Sequence, residues 1–146
     1  MKQLYETGWM HNRLRMVTGS FLVKHLRINW VEGEKYFQDT LLDYDAANNV
    51  AGWQWIAGCG ADAAPYFRIF NPMTQGEKFD KNGDFVRKWL PKLKTIPNKY
   101  IHKPWEMPKE ISKLINFDLK RDYFEPIVDH SKARNEALKA FEYTKK

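Results

Sequence analysis

The spacing of apolar residues in the first 57 positions constrains the fold more than any other feature of the sequence. Apolar residues recur there three, four and seven positions apart, which is the period of an α-helix packed along one face. The pattern predicts helices over residues 9–28 and 32–42, and a third from behind Asp45 to about Ala57. Thr7 and Asp45 are the expected N-caps of the first and third helices, because their side chains can accept hydrogen bonds from unpaired backbone amides.

Glycine and proline divide the rest of the chain into shorter pieces. Residues 58–80 are predicted to be irregular with one or two helical turns, and residues 82–90 to form a short helix. Residues 91–108 contain four prolines and are predicted to be mostly loop. A final helix is predicted over 131–143, with Ser131 as its N-cap. No segment alternates long enough to predict a strand, so the predicted fold class is all-α.

Composition and charge narrow the class of protein. The 146 residues suit one domain, contain no apolar run long enough to span a membrane, and include one cysteine, Cys59. A single cysteine excludes an internal disulfide and a multi-cysteine metal site, and it fits a reducing compartment, so we expect a cytoplasmic location. The whole net charge of +6 lies in residues 74–146, which hold 17 basic and 11 acidic residues. This basic half predicts either a polyanion partner such as nucleic acid or a solvated lysine-rich face.

Motifs of several common enzyme classes are missing from the sequence. It contains no P-loop, no GxGxxG and no HExxH. Asp129, His130 and Ser131 are the residue types of a catalytic triad, but adjacent side chains point apart and better fit the first turn of a helix. The other three histidines have no second ligand at metal-binding spacing, so no metal site is predicted.

A stripe of polar and aromatic residues follows the start of the third predicted helix. Asp45, Asn49 and Trp53 succeed one another at intervals of four residues, so they lie along one helical face. A carboxylate and an amide are costly against a purely apolar core, and the stripe suits a planar heteroaromatic ligand with polar edges. The alternative is a capping Asp45, an exposed Asn49 and a Trp53 that belongs to the core.

Long strings of the chain carry a resemblance to a known family. They are TGWMHNRLRMVTGSFLVKHLRINWVEGEKYF, LLDYDAANN, GWQW, DAAPYFRIFNP, QGEKFD and, near the end, PIVDHSKAR. These strings resemble the photolyase/cryptochrome family, and most of all the class I cyclobutane pyrimidine dimer photolyases of bacteria. The resemblance implies that residues 1–146 are the C-terminal part of a helical FAD-binding domain. The α/β antenna domain with its chromophore and the upstream half of the FAD domain are then expected to be absent, and the isolated chain to be inactive.

The resemblance also implies an FAD site. It assigns flavin contacts to Asp43, Tyr44, Asp45, Asn49, Arg15 and Trp9. Asn49 would face flavin N5, where a neutral amide can accept a hydrogen bond without adding charge, and Arg15 would pair with Asp43. Trp53 and Trp30 would be the inner two members of a tryptophan chain that photoreduces the flavin, because closely spaced indoles allow electron hopping. Trp9 and Trp30 can also be interpreted as ordinary core residues.

A DNA-binding surface is implied by the same resemblance. It assigns contacts with DNA or the lesion to Asn12, Arg13, Met16, Trp55, Gln75 and Arg68. Met16 and Trp55 would line the pocket for a flipped-out dimer, which costs less to extrude than a normal base pair. The implied partner is ultraviolet-damaged DNA, with no membrane and a monomeric full-length protein. The implied reaction is light-driven splitting of the dimer by electron transfer from reduced FAD.

Two other functions stay open from the sequence. One is part of a cryptochrome-type blue-light receptor, and the other is a non-catalytic, basic, DNA-binding helical module. Asn49, Met16 and Trp55 favour repair over signalling, because signalling relatives commonly carry aspartate or cysteine at the position of Asn49. Salt-dependent binding to undamaged DNA without flavin would be the mark of the third function.

Overall fold

The computed structural model describes residues 1–62 and 67–143, and its regular elements are helices. The α-helices are α1 (Lys2–Thr7), α2 (Asn12–Ser20), α3 (Trp30–Thr40), α4 (Ala46–Ala57), α5 (Pro72–Phe79), α6 (Asp84–Trp89), α7 (Lys109–Leu114), α8 (Leu119–Asp122) and α9 (His130–Tyr143). A π-helical segment, Phe21–His25, continues α2. Short 3₁₀ helices span Pro91–Leu93, Asn98–Tyr100 and Pro104–Glu106. No strand occurs among the described residues, and the all-α prediction is confirmed.

The chain divides into two compact units. The first comprises Met1–Asn71 and Val128–Lys146, and it contains α1 to α4 and α9. The second comprises Pro72–Ile127, and it contains α5 to α8. Each unit has its own cluster of buried apolar side chains. In the first unit this core consists of Leu4, Met10, Phe37, Leu41 and Trp53.

The start of the first unit differs from the single helix predicted over residues 9–28. Gly8 adopts a left-handed conformation with φ of 67° and ends α1, since a residue without a Cβ takes this conformation at little cost. His11 then begins α2, because its Nδ1 accepts a hydrogen bond at 3.1 Å from the backbone amide of Arg13. The prediction that Thr7 is an N-cap is therefore wrong, and Thr7 is the last residue of α1.

The π-helical segment buries a charged side chain. Lys24 is only 4% exposed, and its Nζ donates a hydrogen bond at 3.0 Å to the carbonyl oxygen of Arg68. The same ammonium group lies 3.7 Å from the centre of the Phe67 ring, which is a favourable cation–π distance. Burial lowers the pKa of Lys24 to about 8. These contacts hold the Phe67 ring and the Arg68 backbone against the π-helical segment that continues α2.

The two helices that follow begin at polar caps. Asn29 accepts a hydrogen bond at 3.1 Å from the amide of Val31, so α3 begins two residues before the predicted range of 32–42. Asp45 accepts one at 2.8 Å from the amide of Asn48, and the prediction that Asp45 caps the third helix is confirmed. The caps fix where each helix starts, and thereby which side chains of α3 and α4 meet.

The last helix begins one residue before the predicted range. The backbone amide of Lys132 donates to Asp129 Oδ1 at 2.7 Å, so the prediction of Ser131 as the N-cap is wrong. A carboxylate is a strong acceptor at a helix N-terminus, where the helix dipole favours negative charge, and Asp129 meets this need two residues earlier. His130, now the first residue of α9, lies with Nδ1 2.7 Å from Nε2 of the buried His25. This pair joins α9 to the π-helical segment.

The second unit is built from short helices around its own core. Its buried residues are Leu93, Ile96, Ile101, Met107 and Phe117. Asp80 accepts hydrogen bonds from the amides of Phe85 and Val86 at 3.0 and 3.1 Å, which fixes the start of α6 inside the predicted range of 82–90. The proline-rich stretch forms 3₁₀ turns, as proline at the first helical position permits. No apolar pattern in the sequence predicted α7 or α8.

Two structural features are absent from the described residues. Neither residues 1–62 nor 67–143 contain a helix that is both long and apolar enough to cross a membrane. In the same part of the chain, no three histidine, cysteine, aspartate or glutamate residues are grouped closely enough to hold a metal ion. Cys59 is an exposed free thiol beyond the end of α4.

Candidate functional site

A cavity of about 500 Å³ lies in the first unit. Its walls come from α2, α3, α4 and the connection between α3 and α4. Nine of the residues assigned from the sequence line it, namely Asn12, Arg15, Met16, Asp43, Tyr44, Asp45, Asn49, Trp53 and Trp55. Residues that are separated by up to 43 positions in the sequence are thus gathered at one place by the packing of three helices.

An ion pair between Arg15 and Asp43, in which one guanidinium nitrogen contacts both carboxylate oxygens, holds one edge of the cavity. Arg15 Nη2 lies 2.9 Å from Asp43 Oδ1 and 2.8 Å from Oδ2. The guanidinium is fixed further because Arg15 Nε donates to the carbonyl oxygen of Met10 at 2.7 Å. The Asp43 side chain is 51% exposed, so water weakens the attraction, and the pair acts mainly by orienting the carboxylate. The contact between Arg15 and Asp43 that the resemblance implied is therefore present.

A second polar group connects α3 with α4. Asn49 Nδ2 donates to the Glu34 carbonyl oxygen at 3.1 Å and to Glu34 Oε1 at 3.0 Å. An ionised carboxylate only accepts hydrogen bonds, so this arrangement assigns the NH₂ group of Asn49 to the Glu34 side. Oδ1 is then the Asn49 atom that can accept a hydrogen bond from a ligand in the cavity.

Tyr44 takes part in the same group. Its hydroxyl donates to Glu34 Oε1 across 3.5 Å, which is a long and weak hydrogen bond. Burial and the Glu34 carboxylate together raise the pKa of Tyr44, so the phenol stays protonated and can remain a donor. Glu34 is nearly buried, with 9% exposure, and satisfies two partners with one side chain.

Glu34 is the functional residue that the sequence patterns did not reveal. It lies in the charged segment EGEKYF, where a glutamate looks like any solvent-facing residue of a helix. Its partners Tyr44 and Asn49 are 10 and 15 residues away, and only the packing of α4 on α3 brings them within reach.

The aromatic wall of the cavity is formed from α4. Trp53 is 4% exposed and meets Phe37 of α3 edge to face, with ring centres 5.0 Å apart. It belongs to the core of the first unit and also lines the cavity, and its assigned role toward a ligand stays a prediction. Trp55 is half-buried and lines the cavity as well.

Asn12 and Met16 lie one turn apart on α2 and complete the lining. Asn12 Nδ2 approaches Met16 Sδ at 3.9 Å, a weak contact that holds the two side chains together. Asn12 is exposed and Met16 is half-buried. A polar amide beside a flexible thioether can adapt to ligands of different shape.

Five assigned residues do not line this cavity. Trp9 is 47% exposed and packs edge-on against His11, while Trp30 is half-buried against the core of the first unit. Arg13 lies in the first turn of α2, where its backbone amide donates to His11, and Arg68 is exposed, with its carbonyl oxygen bound by Lys24. Gln75 belongs to the second unit. The roles assigned to these five residues stay predictions.

Comparison with known proteins identifies the family of this chain. Residues 1–143 match the family described as the FAD binding domain of DNA photolyase. The chain belongs to this family. The match spans both units, and the resemblance to the photolyase/cryptochrome family is thereby confirmed.

Individual relatives show how far the similarity reaches. The deoxyribodipyrimidine photo-lyase of Agrobacterium fabrum is 57% identical over all 146 residues of the chain, which cover 30% of that protein. A crystal structure of a bacterial class III photolyase from Agrobacterium tumefaciens has a TM-score of 0.92 and 56% identity, over 99% of this chain and 30% of that one. A Synechocystis cryptochrome structure has a TM-score of 0.89 and 38% identity, over 95% and 29%. The chain spans about 30% of the length of the curated photolyases it matches, and the class I assignment stays a prediction.

The residues of the cavity fit the group that the family name implies. The cavity volume of about 500 Å³ lies within the ordinary range for a ligand pocket, roughly 300–1,000 Å³. An indole and apolar side chains form its walls, while Asn49, Tyr44 and the Arg15–Asp43 pair supply hydrogen-bonding groups. This combination suits a planar ring system with polar edges, and the isoalloxazine ring of FAD is such a system.

Proposed function

We propose that this chain supplies part of the FAD site of a light-dependent DNA repair enzyme that splits cyclobutane pyrimidine dimers. The observation that carries the proposal is the cavity of the first unit, which collects nine residues that the resemblance assigns to flavin or lesion. The membership of the chain in the photolyase FAD-binding family supports the same function. Bound FAD supplies the light absorption and the transferable electron, and the chain supplies the surroundings of the ring.

The polar side chains of the cavity bind and orient the flavin in this proposal. Arg15 holds the Asp43 carboxylate in one orientation, in which it can accept a hydrogen bond from the ring or the ribose. Asn49 offers Oδ1 as an acceptor, because Glu34 occupies its NH₂ group. A fixed acceptor favours a ring nitrogen that carries a hydrogen, which is the state of N5 in a reduced flavin. Asp45 keeps the first turn of α4 in place beside the cavity.

Trp53 and Trp30 supply the path for electrons to the flavin. Trp53 lines the cavity and lies in the core, so its indole is held rigidly and shielded from water. Trp30, at the first position of α3, packs against the same core. Packing of the buried Trp53 and the half-buried Trp30 in one cluster suits electron hopping, since it keeps the separation of their rings constant. Trp9 completes the flavin surroundings in this proposal.

The lesion enters from the side of Asn12, Met16 and Trp55. The half-buried indole of Trp55 offers an apolar face against which a flipped pyrimidine dimer can stack. Met16 adjusts to the shape of the dimer, while Asn12 and Arg13 at the start of α2 contact the DNA around it. Arg68 of the first unit and Gln75 of the second are further DNA contacts in this proposal. Ultraviolet-damaged DNA is the partner.

The proposal also includes the longer protein to which this chain would contribute. The 146 residues work as the C-terminal part of a FAD-binding domain, together with the upstream half of that domain and an antenna domain that carries a second chromophore. The assembled protein is a monomer in the cytoplasm. Support comes from the relatives, of which this chain covers about 30%. Alone, the chain leaves Asp43, Asp45 and Gly52 of the cavity wall exposed, and we expect it to be inactive.

The test measures repair by a protein that contains this chain. We expect a photolyase of the Agrobacterium type in which these 146 residues replace their counterpart to bind FAD and to rescue ultraviolet-sensitive cells in blue light but not in the dark. A second variant carries Asp43→Ala in addition and should lose bound flavin, which ties the effect to the cavity. Failure of the first protein to bind FAD contradicts the proposed function.

A blue-light receptor is the second candidate. The similarity to a Synechocystis cryptochrome structure, with a TM-score of 0.89, favours it. In that case the protein binds FAD and responds to light, but the pyrimidine dimers persist. A DNA-binding module without flavin is distinguished by salt-dependent binding to undamaged DNA and by no bound flavin spectrum. Each outcome selects one of the three functions.

A further inference from the structure

A glycine in the middle of α3 faces the indole of Trp53. Gly33 is buried, and α3 continues on both sides of it, so the helix itself has no need of a glycine here. Glycine weakens a helix interior, because it gives up more backbone freedom on folding than other residues do. A reason for its presence has to come from what lies against it.

Trp53 provides that reason. A Cβ atom at Gly33 would stand 2.5 Å from Trp53 Cζ3 and 2.6 Å from Cζ2, and closer still to Cη2. Real Cβ atoms essentially never approach another atom within 3.0 Å. The outer edge of the six-membered ring therefore rests directly on the backbone of α3, and no side chain fits between them.

The other sides of the ring are also enclosed. A Cβ at Gly19 of α2 would lie 3.4 Å from Trp53 Cζ3 and 3.2 Å from Ile56 Cγ2, so α2 approaches closely as well. Phe37, one turn after Gly33 on α3, packs edge to face against the indole. The indole thus occupies a slot with two glycine backbones and one aromatic ring as its walls.

We propose that Gly33 is a positioning residue for Trp53. The bare backbone at Gly33 sets how deeply the indole enters the first unit, and hence its distance from whatever fills the cavity that Trp53 lines. A methyl group at this position pushes the ring toward the cavity or forces α3 and α4 apart. The consequence for electron transfer rests on the proposed function, but the steric relation between Gly33 and Trp53 does not.

A double-mutant cycle tests the proposal without flavin. The four proteins are the wild type, Gly33→Ala, Trp53→Phe and the double variant. Phenylalanine lacks the outer indole edge that rests on Gly33, so the added methyl group then has room. We expect Gly33→Ala to raise the ratio of unfolded to folded protein roughly 5- to 30-fold when Trp53 is present, as overpacked cores do, and to change it little or favourably when Phe replaces it.

A control substitution at another glycine and an NMR signal from Trp53 make the test more specific. Outside its own stretch of helix, Gly52 of α4 has no atom within 4 Å of where a Cβ would stand, so Gly52→Ala should keep or raise stability in urea unfolding. In ¹H–¹⁵N spectra, the indole Nε1–H signal of Trp53, identified by its loss in Trp53→Phe, should shift in Gly33→Ala. A change of helix stability elsewhere in α3 would not move this signal.

Several outcomes would overturn the proposal. Equal losses from Gly33→Ala with Trp and with Phe at position 53 would show that the cost does not come from the indole. Failure of both Gly33→Ala proteins to fold, with Trp53→Phe folded, would show the same. FAD binding is measured separately on the photolyase in which these 146 residues replace their counterpart. A lack of bound FAD there would count against the proposed function and not against the role of Gly33.

Discussion

Asn49 shows at the scale of a single residue how a neighbour decides what a side chain presents. An asparagine amide can turn either its oxygen or its NH₂ group toward a ligand. Glu34 accepts from Nδ2 twice, once with its backbone and once with its carboxylate, so the oxygen is left for the cavity. The sequence identified Asn49, but the residue that orients it is found only in the structure.

The first prediction concerns Glu34. Glu34→Ala leaves the Asn49 amide and the Tyr44 hydroxyl without their acceptor, and loss of a buried partner costs about 1–3 kcal/mol. We expect a loss of about 2 kcal/mol in the free energy of unfolding, measured by urea denaturation. Glu32 of the same helix is a suitable control, because its side chain is 64% exposed and its ion pair with Lys35 spans 3.9 Å. Glu32→Ala should change stability by less than about 0.5 kcal/mol, and equal losses would contradict the prediction.

Helix termini determine the arrangement at the scale of the elements. Gly8, His11, Asn29 and Asp45 each end or begin a helix by a specific backbone conformation or hydrogen bond. Helix α4 matters most for the site, because it carries Asn49, Trp53 and Trp55 in one rigid element. A cap that frays would therefore disturb the cavity and not just the end of the helix.

The second prediction tests the cap of α4. Asp45→Ala removes the acceptor for the amide of Asn48 and should cost about 1 kcal/mol of stability. Asp45→Asn retains an oxygen acceptor and should lose at most a few tenths of a kcal/mol of stability, because asparagine is nearly as good an N-cap. Thermal unfolding of both variants measures the difference. An Asn variant as unstable as the Ala variant would show that the charge of Asp45, and not its cap, stabilises the helix.

The third prediction concerns the joint between α9 and the π-helical segment. Burial is the main cause that lowers the pKa of both His25 and His130, and their mutual proximity lowers that of His25 further. The fold therefore favours the neutral rings, and protonation of both rings would leave the 2.7 Å hydrogen bond between them without an acceptor. Their contribution to stability is complete above the unfolded histidine pKa of about 6.5, and it is lost as the pH falls below that value.

Urea unfolding between pH 7.5 and pH 5 measures this effect. We expect the wild type to lose stability over that interval more steeply than a His25→Phe/His130→Leu variant, which has no group to protonate at this joint. The charged groups that face the pair include Asp129 and Arg134 of the α9 region, and both remain in the variant. Parallel pH profiles of the two proteins would show that the histidine pair does not titrate on unfolding.

Charge is the property of the whole molecule that the proposed function uses. Residues 72–127, the second unit, hold 12 basic and 8 acidic residues, so they carry a net charge of +4 out of the total of +6. Most of the lysines there are exposed. An excess of positive charge attracts the phosphate backbone of DNA whatever its sequence, and releases counterions when it binds.

The fourth prediction follows from this charge. The photolyase in which these 146 residues replace their counterpart should bind undamaged duplex DNA more weakly as salt increases. The slope of log K against log [salt] should become less steep by about 0.9 for each phosphate contact removed. Lys78→Gln on α5, the helix of Gln75, should remove one such contact. Lys139→Gln on α9 is a control with the same change of charge. Equal slopes for the two variants would contradict a specific contact at Lys78.

Much of the helical arrangement could be predicted, and the exceptions have physical causes. The period of three and four residues identified α3, α4, α6 and α9, because it follows from local backbone geometry. Over the predicted range 9–28 it identified α2 and the π-helical segment, which span 12–25, but it placed the start too early, since the apolar pattern already begins at Trp9, before the cap at His11. It also misplaced the cap of α9. Asp129 and Ser131 are both acceptable N-cap residues, and the path of the backbone decides which of them caps the helix.

By itself, the sequence determined what depends on neighbours in the chain: the all-α class, the cap at Asp45, and the stripe of Asp45, Asn49 and Trp53 on one face of α4. Its long motifs also determined the family. The tertiary structure alone decided the pairing of Asn49 with Glu34 and the packing of Trp53 against Gly33. The reason is that these contacts join different helices. Which side chains meet there depends on how closely α2, α3 and α4 pack, and no local pattern records that distance.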